Sequence, residues 1–324
     1  MTPLPSPTSS ISLSERIKAH VAIARVDHWT KNVFVLPGIA IPLAVQSQPM
    51  DWQLLQRLLL GMLSVCLIAS SNYVINEVLD APFDRLHPVK RNRPAAVGLV
   101  SIPAAYVQWL LLMAIGMALA LAVSKFLAVT MAALWIMGCV YNIRPLRTKD
   151  LPYLDVLSES VNNPIRMLAG WYMVTDQLIP PVSILISYWM VGCYFMALKR
   201  FSELRQIGDK DTAAAYRRSF HYYSEQSLLV SVLFYASAGM LFFGAFLIRY
   251  RIELVLAFPL IAVVMAVYFH LAFEPNSAVQ NPEYLYKQKA LMISVISCSV
   301  LLLVLAWVDI PFLRSVFVPT LPNR

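Results

Sequence analysis

"LLLGMLSVCLIASSNYVINEVLDAPFDRLHPVKRNRP", Leu58 to Pro94, runs without a charge as far as Ile75, then places acids at four-residue spacing and closes on a cluster of bases. The uncharged part is close to the roughly 20 apolar residues that a helix needs to cross a hydrocarbon layer about 30 Å thick. Asn76, Asp80 and Asp84 follow at i, i+4 and i+8, so on a continuing helix they drift slowly around one face and converge. Like charges at that spacing repel, and acids at a helix C-terminus oppose its dipole. A bound divalent cation reverses both penalties. Oxygen donors that include an amide suit Mg²⁺, which takes one or two carboxylates together with phosphate oxygens and water. His87, Lys90, Arg91 and Arg93 then supply cations for phosphate groups, Arg gripping them bidentately. A charged loop obeying the positive-inside rule is the plainer reading; it accounts for the bases but does not ask for Asp at the end of a span. Pro82 disfavours helix at Ala81, which leaves open whether Asp80 closes one helix and Asp84 begins another turn.

The rest of the chain supports a membrane setting. Of 324 residues, 59% are hydrophobic and only 14% charged, far to the apolar side of a soluble domain. We expect an all-α integral membrane bundle of about nine spans: 33–44, 54–79, 102–123, 127–142, 156–175, 182–198, 228–248, 254–273 and 291–308. The first is short and interrupted by Pro37 and Pro42, so a kink is expected there. Residues 1–27 read as a disordered tail followed by an interfacial helix from Leu13, and 28–324 as a single transmembrane domain without linkers. No leader peptide is evident, and the first span is expected to serve as its own insertion signal. Cys66, Cys139, Cys193 and Cys298 lie inside apolar runs without metal-site spacing, and read as packing residues.

Nineteen of the 26 Lys and Arg fall on the N-terminal segment and on the loops after spans two, four, six and eight. By the positive-inside rule these face the cytoplasm, and the inner membrane of the cell is the expected location. Asp80, Asp84, Asp150, Glu203, Asp209 and Asp211 crowd the same side. One mouth of the bundle therefore carries the polar chemistry.

Two further stretches are candidates. "SESVNNPIRMLAGW", Ser158 to Trp171, sets Glu159, Asn162, Asn163 and Arg166 in an otherwise apolar span, where a charge costs about 2.5–3.5 kcal/mol on insertion scales and marks a cavity or a partner. Glu159 and Arg166, seven apart, fall on one face, so a structural ion pair and a catalytic role are both open. "ALKRFSELRQIGDKD", Ala197 to Asp211, places Lys199 and Glu203 at i, i+4, either as a surface pair or as phosphate or metal ligands. Walker, dinucleotide-binding and HExxH patterns are absent.

At this point the residues resemble a family. "NEVLDAPFDRLHPVKRNRP" is similar to the first aspartate-rich motif of UbiA-type intramembrane prenyltransferases, usually NDxxDxxxD, with Glu77 standing where Asp is usual. "HWTKN" (His28–Asn32), "HPVKRNRP" (His87–Pro94), Arg166 before "AGW", and "LKRFSEL" (Leu198–Leu204) most resemble the decaprenyl-phosphate phosphoribosyltransferase branch. Aromatic prenyltransferases tend instead to carry a second DxxxD motif where this chain has Lys199–Glu203. The resemblance implies Mg²⁺ on Asn76, Asp80 and Asp84. It implies catalytic roles for Asp80, Asp84, Lys90, Arg93, Arg166 and Lys199, and substrate contacts from Lys31, Asn76, Arg91, Tyr141, Lys149, Asp155, Asn162, Arg200 and Glu203. The implied reaction is transfer of 5-phosphoribose from phosphoribosyl diphosphate to a polyprenyl phosphate. The partners are then a polyprenyl lipid, a diphosphate co-substrate and membrane lipids, with no nucleic acid. One alternative keeps fold and metal but moves a prenyl chain from its diphosphate to an aromatic acceptor. Another, of a different class, is a lipid transporter or lipid-binding protein.

Overall fold

Helix is the dominant structure among the residues described, 12–46, 49–85, 90–280 and 282–317, in the computed structural model, and no strand occurs among them. The expected tail before Ser12 and the expected phosphate ligand His87 lie outside the described residues. In chain order the helices are α1 (Leu13–Ile23), α2 (Leu36–Gln46), α3 (Trp52–Asp84), α4 (Ile102–Val123), α5 (Lys125–Asn142), α6 (Leu154–Ser160), α7 (Asn162–Val174), α8 (Val182–Ile207), α9 (Lys210–Tyr216), α10 (Glu225–Tyr250), α11 (Phe258–Leu271), α12 (Lys289–Trp307) and α13 (Pro311–Val316). Seven stretches are long and apolar enough to cross a membrane: α3, α4, α5, α8, α10, α11 with the turn before it, and α12. The other two expected spans take different forms. α2 is only 11 residues long. The span expected over 156–175 is broken at Val161 into α6 and α7. Pro164, three residues into α7, has no N–H for the Ser160 carbonyl and restricts Asn163 before it, which accounts for the break.

Pro82 does not break α3, which continues unbroken to Asp84. Asp80 and Asp84 therefore share one helix, and the alternative of two separate turns is set aside.

The chain divides into two compact units, residues 1–33 with 52–147, and residues 34–51 with 148–324. In the first, α3 packs on α4 and α5 through small and polar residues beside the buried Ile68, Met131 and Leu134. Ser64 Oγ donates to the Gly116 carbonyl at 2.6 Å, Ser71 Oγ to the Trp109 carbonyl at 2.8 Å, and Asn72 Nδ2 to the Leu134 carbonyl at 2.9 Å. Lipid offers no hydrophobic drive between helices, so close backbone approach and interhelical hydrogen bonds replace it. Gly138 shows how close the approach is, because a Cβ there would lie 2.2 Å from the Asn72 side chain.

In the second unit α2 crosses α7 at Gly38 and Gly170. A Cβ at Gly38 would sit 1.8 Å from the Met167 carbonyl oxygen, and one at Gly170 2.3 Å from that of Val35. The main core lies along α8 and α10, with Cys193, Ala197, Leu198, Phe201, Leu228 and Val232 buried. Ser187 Oγ donates to the Gly239 carbonyl at 2.9 Å and Tyr194 OH to that of Met265 at 2.7 Å, tying α8 to its neighbours. Large apolar side chains such as Leu121, Val129, Leu233, Leu241 and Ile248 are exposed, as lipid-facing surfaces require. All four cysteines are free; three are buried and Cys139 is half-buried, in keeping with packing roles.

Candidate functional site

The chemistry-bearing residues gather in two clusters, one in each unit. In the first unit the last three turns of α3 carry Asn76, Asp80 and Asp84. Asn76 Nδ2 donates to Asn142 Oδ1 at 2.5 Å, and Asn142 Nδ2 to the Gly138 carbonyl at 2.9 Å, so the end of α5 orients the Asn76 amide and points its oxygen the other way. Asp80 Oδ1 accepts from Arg147 Nη2 at 3.0 Å, and Asp84 Oδ2 from Arg93 Nη1 at 2.7 Å. The Arg147 guanidinium also lies over the Phe83 ring, 5.1 Å from its centroid. Lys90 and Arg91 occupy the short 3₁₀ turn that leads to Arg93, with Arg91 exposed.

Glu77 points elsewhere. Buried on α3, it accepts from Arg25 Nη2 and from the Ala95 backbone N–H, each at 3.4 Å. It therefore ties the segment after α1 and the connection before α4 to α3, and the acid found where Asp is usual does structural work. The segment Val26–Val35 is fixed to the same helix: Trp29 Nε1 donates to Ser70 Oγ at 2.9 Å and Asn32 Nδ2 to Cys66 Sγ at 3.2 Å. Lys31 Nζ stands 3.1 Å from His28 Nδ1, and the His28 ring meets Tyr73 edge-on. Tyr141 is buried at the end of α5 beside Asn142.

The second cluster is built around Asp155, which is wholly buried at the start of α6. Its Oδ2 accepts from Arg200 Nε and from Ser219 Oγ, both at 3.1 Å, and its Oδ1 from Tyr223 OH at 2.6 Å. Arg217 Nη1 stands 3.7 Å away. Arg200 Nη1 also donates to Glu203 Oε2 at 3.0 Å. Of the two roles left open for Lys199 and Glu203, the ion pair does not form among the described residues: the guanidinium one residue along takes the acid. Tyr223 OH also accepts from the Tyr153 backbone N–H at 2.5 Å, bracing a residue held at φ +61°. Burial, then the Asp155 charge, push the Tyr223 phenol well above its ordinary range. Lys149 is buried in the 3₁₀ turn Thr148–Asp150 that precedes this cluster.

Asn162 and Arg166 lie on α7, where Asn162 Nδ2 donates to the Glu159 carbonyl at 3.0 Å. The structural ion pair between Glu159 and Arg166 does not form among the described residues, because the helix breaks between them at Val161. Arg147, Arg217, Ser219 and Tyr223 were not among the expected site residues. Arg147 lies in the connection after α5, where nothing in its spacing separates it from Arg144 or Lys149.

The donors on α3 fit a Mg²⁺-phosphate better than a metal held by protein alone. They are two carboxylates and an amide oxygen, and among the described residues no three His, Cys, Asp or Glu side chains form a cage. Such a set leaves coordination positions to phosphate oxygens and water.

The sequence model of the UbiA prenyltransferase family matches residues 34–284. A protein of Mycolicibacterium smegmatis named decaprenyl-phosphate phosphoribosyltransferase is 30% identical over 228 residues, 69% of this chain and 68% of the relative. One of the same name from Corynebacterium glutamicum is 29% identical over 62% of this chain and 58% of its own length. The nodulation protein NoeC of Azorhizobium caulinodans is 30% identical over 66% of each. Among solved structures, a UbiA homologue from Archaeoglobus fulgidus bound to GPP and Mg²⁺ superposes with a TM-score of 0.65 at 19% identity, covering 89% of this chain and 99% of that one. The last likeness concerns the fold.

Proposed function

The chain belongs to the UbiA prenyltransferase family and is an integral membrane transferase; from that premise we propose that it moves 5-phosphoribose from phosphoribosyl diphosphate to a polyprenyl phosphate. The observation that carries this reading is the make-up of the second cluster. Both of its closest acids, Asp155 and Glu203, are paired with Arg200, while Lys199 and Arg217 stand beside them. With three cations, Lys199, Arg200 and Arg217, to two acids, and with Asp155 wholly buried, this cluster is suited to an anionic phosphate rather than to a second metal ion. The proposed reaction has such phosphates to spare, one on the sugar's 5-position and one on the lipid acceptor, whereas a prenyl diphosphate carries only its leaving group. Relatives at 29–30% identity named for this reaction point the same way.

In the proposed step the lipid phosphate oxygen forms a bond to the anomeric carbon of ribose, and the bond from that carbon to the diphosphate oxygen breaks. The attacking oxygen is already anionic, so no general base is required. Asn76, Asp80 and Asp84 would hold Mg²⁺, which when bound neutralises charge on the departing diphosphate. Lys90, Arg91 and Arg93 meet the same diphosphate as cations. Arg93 and Arg147, which neutralise Asp84 and Asp80, exchange a carboxylate for phosphate oxygens when substrate enters. Lys199, Arg200, Glu203, Asp155 and Lys149 order a substrate phosphate at the second cluster, with Lys31, Tyr141, Asn162 and Arg166 as further contacts. Placement in the cell's inner membrane, with the N-terminus and the basic loops in the cytoplasm, and the treatment of 28–324 as one transferase domain, belong to the same proposal.

Purified protein in polyprenyl-phosphate micelles with Mg²⁺, given labelled phosphoribosyl diphosphate in one arm and labelled prenyl diphosphate with an aromatic acceptor in the other, tests the reading. Label is expected in the lipid fraction of the first arm. Turnover confined to the second arm assigns the prenyl-transfer alternative. Lipid movement between vesicles without turnover in either arm assigns a transporter.

A further inference from the structure

α1 and the first turns of α4 form a groove of about 480 Å³ lined by Leu13, Arg16, Ile17, Val21, Ser101 and Ala104, none of which belongs to either cluster. We propose that this groove seats a resident anionic phospholipid, its phosphate on Arg16 and an acyl chain along Leu13, Ile17 and Val21. The two apolar faces of α1 set up the argument. Ala19 and Ile23 are buried against Val74, Val78 and Ala105 of α3 and α4, whereas Leu13, Ile17 and Val21 are 75%, 56% and 57% exposed. The exposed three step by four residues and form one stripe. Such a stripe belongs in the acyl boundary of a bilayer.

The floor of the groove is rigid. His20 Nδ1 and Gln108 Oε1 are 2.8 Å apart, and Gln108 Nε2 donates to the His20 carbonyl at 2.8 Å, so α1 is bolted to α4 at two points. The rim is cationic. Arg16 has no ion pair among the described residues. The one acid of α1, Glu15, takes both the Ser12 N–H and the Ser12 hydroxyl at 2.9 Å in a capping box. Neither α4 nor residues 1–11 contain an acid. Ser101, at the head of the 22-residue α4, makes no side-chain capping bond, which leaves its hydroxyl to the groove. The start of a spanning helix lies at headgroup depth, so phosphate and acyl chain each meet a matching surface. A zwitterionic headgroup brings its own ammonium to a rim that is already positive; an anionic one does not.

Native mass spectrometry of the delipidated protein, titrated with phosphatidylglycerol or with phosphatidylcholine of the same chains, reads this directly. Wild type is expected to favour phosphatidylglycerol about fivefold, the contribution of one basic residue near an anionic headgroup. Arg16→Gln abolishes the preference and Arg16→Lys keeps it. Ala104→Phe, which fills the groove without changing charge, lowers the occupancy of both lipids. Equal affinity of wild type for the two lipids, or a preference retained in Arg16→Gln, overturns the proposal. Displacement of phosphatidylglycerol by equimolar polyprenyl phosphate also overturns it, and gives the groove to the lipid substrate.

Discussion

The two polar clusters use their acids in opposite ways. On α3, Asp80 and Asp84 sit at the end of a spanning helix, 21% and 7% exposed, and each meets an arginine from a separate segment, Arg147 after α5 and Arg93 before α4. In the second unit a single acid, Asp155, is wholly buried and gathers Arg200, Ser219, Tyr223 and Arg217 from two segments of chain. An ion pair near a surface exchanges partners at small cost. A buried acid that organises several donors cannot be removed without leaving charges uncompensated. The first arrangement is thus suited to handling a substrate's charge, and the second to holding cations in place.

The strongest way to break this comparison is Asp155→Ala. It removes the buried acceptor shared by Arg200, Ser219 and Tyr223, although Arg200 keeps Glu203, and a loss of about 3–5 kcal/mol is expected, read as a lower unfolding temperature in detergent together with lost activity. Retained thermal stability removes Asp155 from its organising role. Asp84→Asn is the opposite case. It keeps the side-chain shape of a buried acid whose partner Arg93 is itself 23% exposed and so keeps access to water. The unfolding temperature therefore stays near that of wild type, while turnover falls about 10²–10³-fold, the usual cost of one electrostatic stabiliser of a developing charge. Full transferase activity in Asp84→Asn overturns the metal assignment. The two variants together separate a stability defect from a chemical one.

Much of the first cluster was legible in the sequence and little of the second. Asn76, Asp80 and Asp84 are neighbours along one helix, so four-residue spacing is enough to bring them together. Arg93 follows within one turn and a short connection. Asp155 and Tyr223 are 68 residues apart and belong to segments whose meeting depends on how α6 and the residues after α9 pack on α8; no local period encodes that. Lys199 and Glu203 show the converse limit. Their spacing permits a pair, but Arg200 lies between them and is aimed at Asp155 by burial, so it takes Glu203 as well. Pro82 misleads for a related reason: its effect is confined to the last turn of a 33-residue helix whose earlier turns are held by α4 and α5.

Tyr223→Phe sharpens the comparison at smaller amplitude. The change removes a donor to Asp155 and the acceptor of the Tyr153 N–H, at a cost of about 1–3 kcal/mol for the buried groups left unsatisfied. The pH dependence has a definite sign. The phenol is held above its ordinary value of 10.0 by burial and by Asp155, so its contribution to stability is complete below that pH and is lost as pH rises further. Unfolding temperatures measured between pH 8 and 11 are expected to fall in wild type above pH 10, and Tyr223→Phe is expected to remove that part of the decline. An alkaline limb of equal size in both proteins places the titrating group elsewhere.

The smallest effect expected lies at α9, in the segment that delivers Arg217, Ser219 and Tyr223 to Asp155. Asp209 caps that helix, its Oδ2 accepting from the Thr212 backbone N–H at 2.8 Å and from the Thr212 hydroxyl at 2.5 Å. These bonds, the hydroxyl first and the N–H second, hold its carboxyl below the ordinary 3.8. A depressed carboxylate stabilises the fold fully above its unfolded value and loses that contribution as pH falls through the folded one. Hydrogen exchange at the Thr212 amide is therefore expected to be slow at neutral pH and to lose protection below about pH 4, after correction for intrinsic rates. Asn accepts the same cap bond without titrating, so Asp209→Asn should keep the protection and flatten its pH profile. If protection of Thr212 is lost while turnover persists, α9 does not govern delivery of Arg217. If both fade together, the buried Asp155 cluster depends on an exposed cap that the α3 acids do not need.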